Sequence, residues 1–152
     1  TLGTLHDKLK KIGAKGLEKA INLIESGKVI AEKQDESLVT FVKPISKEQE
    51  VIDWSDTKEN IYNKIRGLNP FPGALSYYDD QIIKVYLSEK IDKEYDGEYG
   101  EIVEILNKKG PVVKVKNGGI ILKEVKFQGK KSQSGIDIIN GRKIILNSKF
   151  GK

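Results

Sequence analysis

Lys114 and Lys116 stand two apart in an alternating run, Lys130 and Lys131 follow one glycine, and Arg142 and Lys143 follow another. Cations in this pattern point to phosphate binding. Side chains two apart on a strand share a face, and Lys and Arg neutralise backbone phosphates with salt-dependent, largely sequence-independent affinity. Lys123 lies across a predicted hairpin from the first pair, which would extend the basic surface. Stacking groups are sparse here, since Phe127 and Phe150 are the only aromatic residues after position 107. The pattern therefore favours gripping the backbone of a folded RNA over reading single-stranded bases.

Covalent chemistry has little to work with. His6 is the single histidine, beside Leu5 and Leu9 in a helical pattern, and reads as a surface helix residue rather than a general base. With no Cys and no second His, a metal site has no ligands of those types. No G-x-S-x-G, P-loop or dinucleotide glycine motif is present. Gly97, Gly100, Gly118 and Gly119 read as turn glycines, and the acids between 92 and 104 read as a solvated face. The expectation is no catalytic residue, no metal ligand and no cofactor site in this chain.

Charge distribution sharpens the first reading. Residues 108–152 hold twelve Lys and Arg against two acids, a net of +10, so residues 1–107 carry −5 of the chain's +5. Such asymmetry fits a polyanion partner for the last third. A lysine-rich solvated surface fits it equally. No apolar run reaches the roughly 18–20 residues of a membrane span, and Thr1–Ile12 has a charged helical pattern unlike a signal peptide. The absence of Cys fits a reducing compartment, and the cytoplasm is the expected location. Met is also absent, which reads as a fragment or processed product.

The elements that must position these cations follow from periodicity. Leu2, Leu5, Leu9 and Ile12, then Leu17, Ile21 and Ile24, give two helical stripes with a break expected at Gly13 and a stop at Gly27. An amphipathic pair must bury its apolar face, and no nearby segment is an obvious partner, so these helices read as having packed on a domain outside the chain. Residues 28–53 read as an extended linker with one β-prone run, Leu38–Val42, ended by Pro44, and a local cap at Ser46–Gln49. Trp54 reads as a packing anchor ahead of a helix near 57–68, with Ile61, Ile65 and Leu68 on one face. A rigid Gly-Pro crossing, Gly67–Gly73, then leads into period-two segments: 74–78, 81–87 (Ile83, Val85 and Leu87 on one face), 100–106, 111–116 and 120–127. A short helix capped by Ser134 and stopped at Gly141 follows. The expected class is α+β, mainly β with helices: a small OB-like Greek-key β-barrel preceded by helices.

Several stretches, in order, carry a family resemblance. They are Leu5-His6-Asp7-Lys8-Leu9, Gln34-Asp35-Glu36-Ser37, Ile52-Asp53-Trp54-Ser55, Ile61-Tyr62, Ile65 through Ala74, Gly100-Glu101-Ile102, Gly129-Lys130-Lys131 and Ile139-Asn140-Gly141. Together they resemble methionyl-tRNA formyltransferases over almost the whole chain. The resemblance implies a Rossmann-like catalytic domain upstream, ending in helices at 1–33. It also implies a linker at 34–56 and an OB-like tRNA-binding domain at 57–152. It implies formyl transfer from 10-formyltetrahydrofolate to methionyl initiator tRNA by a monomeric parent enzyme, with the catalytic and folate-binding residues outside this chain. Lys43 and Lys47 fall at linker positions that contact tRNA in the family, and Lys130 and Lys131 fall in the matched barrel motif; Ser132-Gln133 departs from the family's usual basic-methionine pair. Arg66 is a further tRNA candidate, with a structural salt bridge as its first reading. Two other readings remain at this stage: a free-standing RNA-binding barrel, and a related formyltransferase acting on a sugar nucleotide.

Overall fold

The structure, a computed structural model, describes residues 1–151. Residues 1–2 and 46–151 form one compact unit and residues 3–45 another. Helix α1 runs unbroken from Leu2 to Glu25, all but its first residue in the second unit. The expected break at Gly13 does not occur. An interior glycine costs about 1 kcal/mol against alanine, and the Lys, Ala and Leu around it are strong enough helix formers to carry it. Past its end, Gly27 takes φ +66°. Lys28 N–H donates to the Leu23 carbonyl and Gly27 N–H to that of Ile24, both at 3.0 Å, which is a Schellman stop. The β-prone run at 38–42 forms no strand: Leu38 ends a 3₁₀ turn (Glu36–Leu38), and Phe41 and Val42 are exposed. A strand needs a paired neighbour to satisfy its backbone, and Pro44 blocks extension of this one.

In the first unit, α2 (Lys47–Glu50) is capped by Gln49, whose Oε1 accepts the Ser46 N–H at 2.9 Å. The Thr57 hydroxyl accepts the Asn60 N–H and opens α3 (Lys58–Leu68), which buries Ile61, Ile65 and Leu68 as expected. Strands β1 (Ala74–Tyr78), β2 (Gln81–Ile91), β3 (Ile102–Leu106), β4 (Gly110–Val115), β5 (Gly118–Phe127) and β6 (Gln133–Ser134) precede α4 (Gly135–Asn140). The sheet is antiparallel in the order β1-β2-β5-β4-β3, with β6 beside β5. Three consecutive strands, β3 to β5, lie beside β2, which reaches them through the long 92–101 connection; that arrangement is a Greek key.

Leu87 is corrected by the register. Period two puts it on one face with Ile83 and Val85, but the pairing slips between Val85 and Leu87 and again before Ser88, and Leu87 is 40% exposed while Ile83 and Val85 are buried. A bulge of this kind shifts the alternation and turns the next side chain outward. The two outer strands, β1 and β3, are joined by the C-terminal tail. Phe150 bridges Tyr78, and Lys149 bridges Glu101 just before β3. Phe150 is buried between Tyr78 and Trp54, with ring centroids 5.0 and 5.4 Å away. Trp54 is buried, as its reading as an anchor required, and its Nε1 donates to the buried Ser76 hydroxyl at 2.8 Å. Ahead of β1, Asn69 Nδ2 donates to the Tyr86 carbonyl at 2.8 Å and Gly73 N–H to that of Leu68 at 2.8 Å. The Gly-Pro crossing is thereby pinned to the bulged part of β2.

Candidate nucleic-acid interface

The cations divide by whether they have an acidic partner. Lys58 meets Asp92 at 2.7 Å, Lys93 meets Glu104 at 2.9 Å, Lys84 meets Glu50 at 3.7 Å, and Lys123 meets Glu89 at 3.8 Å. Lys109 pairs with Glu89 and Lys149 with Glu98. Lys123, expected to widen the basic surface, therefore shares the single Glu89 carboxylate with Lys109. By contrast, none of Lys43, Lys47, Arg66, Lys114, Lys116, Lys130, Lys131, Arg142 and Lys143 forms an ion pair among the described residues.

The loop at 92–98, read as a solvated acidic face, is instead fastened to the sheet. Tyr95 OH donates to Glu104 at 2.6 Å, and Glu98 N–H donates to Glu101 at 2.8 Å. The bond from Tyr95, followed by that from Lys93, holds the Glu104 carboxyl below its ordinary value, while burial and Glu104 raise the Tyr95 hydroxyl. The Lys58 ammonium lowers Asp92, and that of Lys149 lowers Glu98. In the Asp53-Trp54-Ser55 stretch, Asp53 accepts from the Ser55 hydroxyl at 2.6 Å and backbone N–H at 2.9 Å, and these bonds lower its pKa. These carboxylates have structural partners, so none is poised for proton transfer.

The unpaired cations fall in different places. Lys43 and Lys47 are exposed, the first in the 3–45 unit and the second on α2. Arg66 is exposed near the end of α3; it donates to Asn63 at 2.8 Å and lies 5.9 Å from the Tyr62 ring. Its first reading as a salt-bridge former does not hold, because no carboxylate reaches it among the described residues. Lys114 is half-buried on β4, its ammonium donating to the Tyr95 carbonyl, whereas Lys116 is exposed just beyond that strand. Lys114 lines a cavity of about 600 Å³ with Trp54, Tyr99 and Phe150.

A second cavity, of about 220 Å³, brings Lys130 and Lys143 together over Phe127. Lys130 sits in a tight turn that Gly129 makes with φ +69°: its own N–H donates to the Phe127 carbonyl at 3.0 Å, and Gln128 N–H donates to that of Ile82 at 3.0 Å. Lys143 follows α4, where Ser134 N–H donates to Asp137 and Asp137 N–H to the Ser134 hydroxyl. Its ammonium donates to Gln133 and lies 5.8 Å from the Phe127 ring. Lys131 and Arg142 adjoin this pair in sequence, and both are exposed. Sequence reasoning passed over Lys126, which is exposed, has no ion pair among the described residues, and stands opposite Lys84 in the β2–β5 register. The signal for it was period two along 120–127, which turns Lys126 out where Val125 and Phe127 turn in.

Among the described residues, no group of three or more His, Cys, Asp and Glu could hold a metal ion, and no helix is long and apolar enough to cross a membrane. What the first unit offers is a Greek-key antiparallel sheet with Lys130 and Lys143 beside one aromatic cavity and, elsewhere on its surface, further cations without ion pairs among the described residues. The chain belongs to the family described as formyl transferase, C-terminal domain, which matches residues 44–143.

Its relatives are more particular. It is 48% identical over 151 residues to a methionyl-tRNA formyltransferase of Fusobacterium nucleatum, covering 99% of this chain and 49% of that protein. It is 41% identical to the Bacillus cytotoxicus enzyme of the same name, covering 100% and 48%, and 40% identical to that of Bacillus subtilis, covering 99% and 47%. The chain thus spans about half the length of the curated relatives it matches. Among solved structures, HypX from Aquifex aeolicus in complex with tetrahydrofolic acid has a similar fold, with a TM-score of 0.67 at 14% identity over 88% of this chain and 23% of that one.

Proposed function

We propose that this chain is the C-terminal portion of a methionyl-tRNA formyltransferase and that it holds the tRNA. The parent enzyme transfers a formyl group from 10-formyltetrahydrofolate to the α-amine of methionine on initiator tRNA. The observation that carries the reading is the 48% identity to such an enzyme, which extends over 99% of the chain. Residues 1–33 are then the closing helices of the catalytic domain, 34–56 the linker and 57–152 the OB-like tRNA-binding domain, in a cytoplasmic, monomeric protein.

Catalysis belongs to the rest of the parent. The chain's one histidine is on the surface of α1, and its perturbed carboxylates serve hydrogen bonds and ion pairs. The contribution of this portion is positioning: holding the tRNA lets the methionyl amine meet the formyl group within one complex. Lys43, Lys47, Arg66, Lys114, Lys116, Lys130, Lys131, Arg142 and Lys143 are its contacts to phosphate.

Filter binding of initiator tRNA to this chain tests the binding role. Retention that weakens steeply between about 50 and 200 mM salt supports it. No retention at the low-salt end removes it.

A further inference from the structure

The cavity over Phe127 differs in kind from a basic surface. It is concave, holds about 220 Å³ and is lined by Tyr78, Asp79, Gln81, Phe127, Lys130 and Lys143. A duplex cannot enter a space of that size, whereas one phosphate with its sugar can. Phe127, at the end of β5, is one of these residues, and the Lys143 ammonium lies 5.8 Å from its ring. Two of the lining lysines have no ion pair among the described residues, and one of them, Lys143, is held by Gln133. Asp79 also lines the cavity, from the β1–β2 turn, where its φ of +49° and the +57° of Asp80 give a tight hairpin. It too forms no ion pair among the described residues.

A cavity lined by two ammonium groups and one carboxylate, none in an ion pair among the described residues, complements a ligand that is anionic at one end and a hydrogen-bond donor at the other. A ribonucleotide has that form: the phosphate is the anion, and the ribose hydroxyls donate. We propose that this cavity is a single-ribonucleotide site, in which Lys130 and Lys143 hold one phosphate and the Asp79 carboxylate accepts from the adjoining ribose hydroxyl. The site therefore takes one nucleotide of an RNA chain that leaves its helix, and it discriminates RNA from DNA through the 2′-hydroxyl, the group by which proteins separate the two. This inference rests on the tRNA-holding reading and adds a local, sugar-specific contact to it.

The test is an amide NMR titration of the 152-residue chain with adenosine 5′-monophosphate, its 2′-deoxy analogue and inorganic phosphate, beside tRNA binding to the same preparation. The expected result is saturable shifts at Gln81, Phe127, Gly129 and Lys143 with the ribonucleotide, and roughly tenfold weaker binding of the deoxy analogue, the size of one charge-assisted hydrogen bond. Asp79→Asn should narrow that gap, and Lys143→Ala should weaken both nucleotides. Equal affinity for ribo- and deoxynucleotide overturns the sugar contact. Tight tRNA binding with no shift from any of the three probes overturns the site while leaving the tRNA-holding reading intact. Loss of tRNA binding together with a retained ribonucleotide site would instead count against that broader reading.

Discussion

Replacing Phe150 with Ala should loosen the first unit along the line where the tail joins β1 to β3. The ring is 1% exposed and packs on both Trp54 and Tyr78. Truncating a fully buried Phe costs about 3–5 kcal/mol, and each aromatic pair adds roughly 0.5–1.5 kcal/mol beyond its buried area. The backbone bonds from Phe150 N–H to Gly100 and from Gly151 N–H to Tyr77 survive the substitution, so the lower part of the combined range applies, about 4 kcal/mol. That is a large share of the roughly 5–15 kcal/mol that stabilises a domain. Urea denaturation followed by tryptophan fluorescence is the assay, because Trp54 is the chain's single tryptophan and touches the replaced ring. With an m value near about 2 kcal/mol per molar, the midpoint should fall by roughly 2 M. Phe150→Leu keeps most of the volume and should cost under about 2 kcal/mol. A midpoint for Phe150→Ala equal to the parent's would refute the reasoning that the tail closes this unit.

Three further outcomes follow from named contacts. Trp54→Phe leaves the Ser76 hydroxyl buried without its donor and should cost about 1–3 kcal/mol in the same melt, with Trp54→Phe/Ser76→Ala recovering part of the loss; that melt is followed by circular dichroism. Gly110→Ala places a Cβ against the Leu122 carbonyl at φ +148°, a region closed to other residues, and should lower the thermal midpoint by several degrees, whereas Gly129→Ala, with open space around its Cβ, should lower it less. Asp53, Asp92, Glu98 and Glu104 are held below their ordinary values of 3.8 for Asp and 4.5 for Glu. Carboxylates with depressed folded-state values stabilise above the unfolded value, and that stability is lost as pH falls through the folded one. The urea midpoint should therefore hold near neutrality and decline below about pH 4, with a shallower decline in Glu104→Gln.

The sheet was legible because its signals are local. Asp79-Asp80 and Asn117-Gly118 demand positive φ, which they adopt at +49° and +57° and at +60° and +141°. At Ser46–Gln49 the Gln49 side chain accepts the Ser46 N–H, and at Ser134 the hydroxyl accepts the Asp137 N–H, so both local cap signals satisfy donors that a helix start leaves free. What the sequence hid is non-local. The bulge that turns Leu87 outward arises from pairing β2 with β5, about forty residues later, and no pattern within β2 shows it. The burial of Phe150 depends on where Trp54 and Tyr78 come to lie. The candidate interface was half legible for the same reason. Composition located the basic third of the chain, but which lysines remain unpaired is decided by partners such as Glu89 for Lys123 and Asp92 for Lys58. Lys143 becomes neighbour to Lys130 only once α4 folds back past β6.

The claim that an unpaired basic cluster holds tRNA is tested most directly by one comparison: the salt dependence of initiator tRNA binding for the chain and for Lys130→Glu/Lys131→Glu. The account predicts weaker binding and a flatter slope of log affinity against log salt, by roughly 1–2 for the phosphate contacts removed. Lys109→Glu, at a cation already paired with Glu89, should change the slope much less. An unchanged slope and affinity in the double variant would contradict the claim.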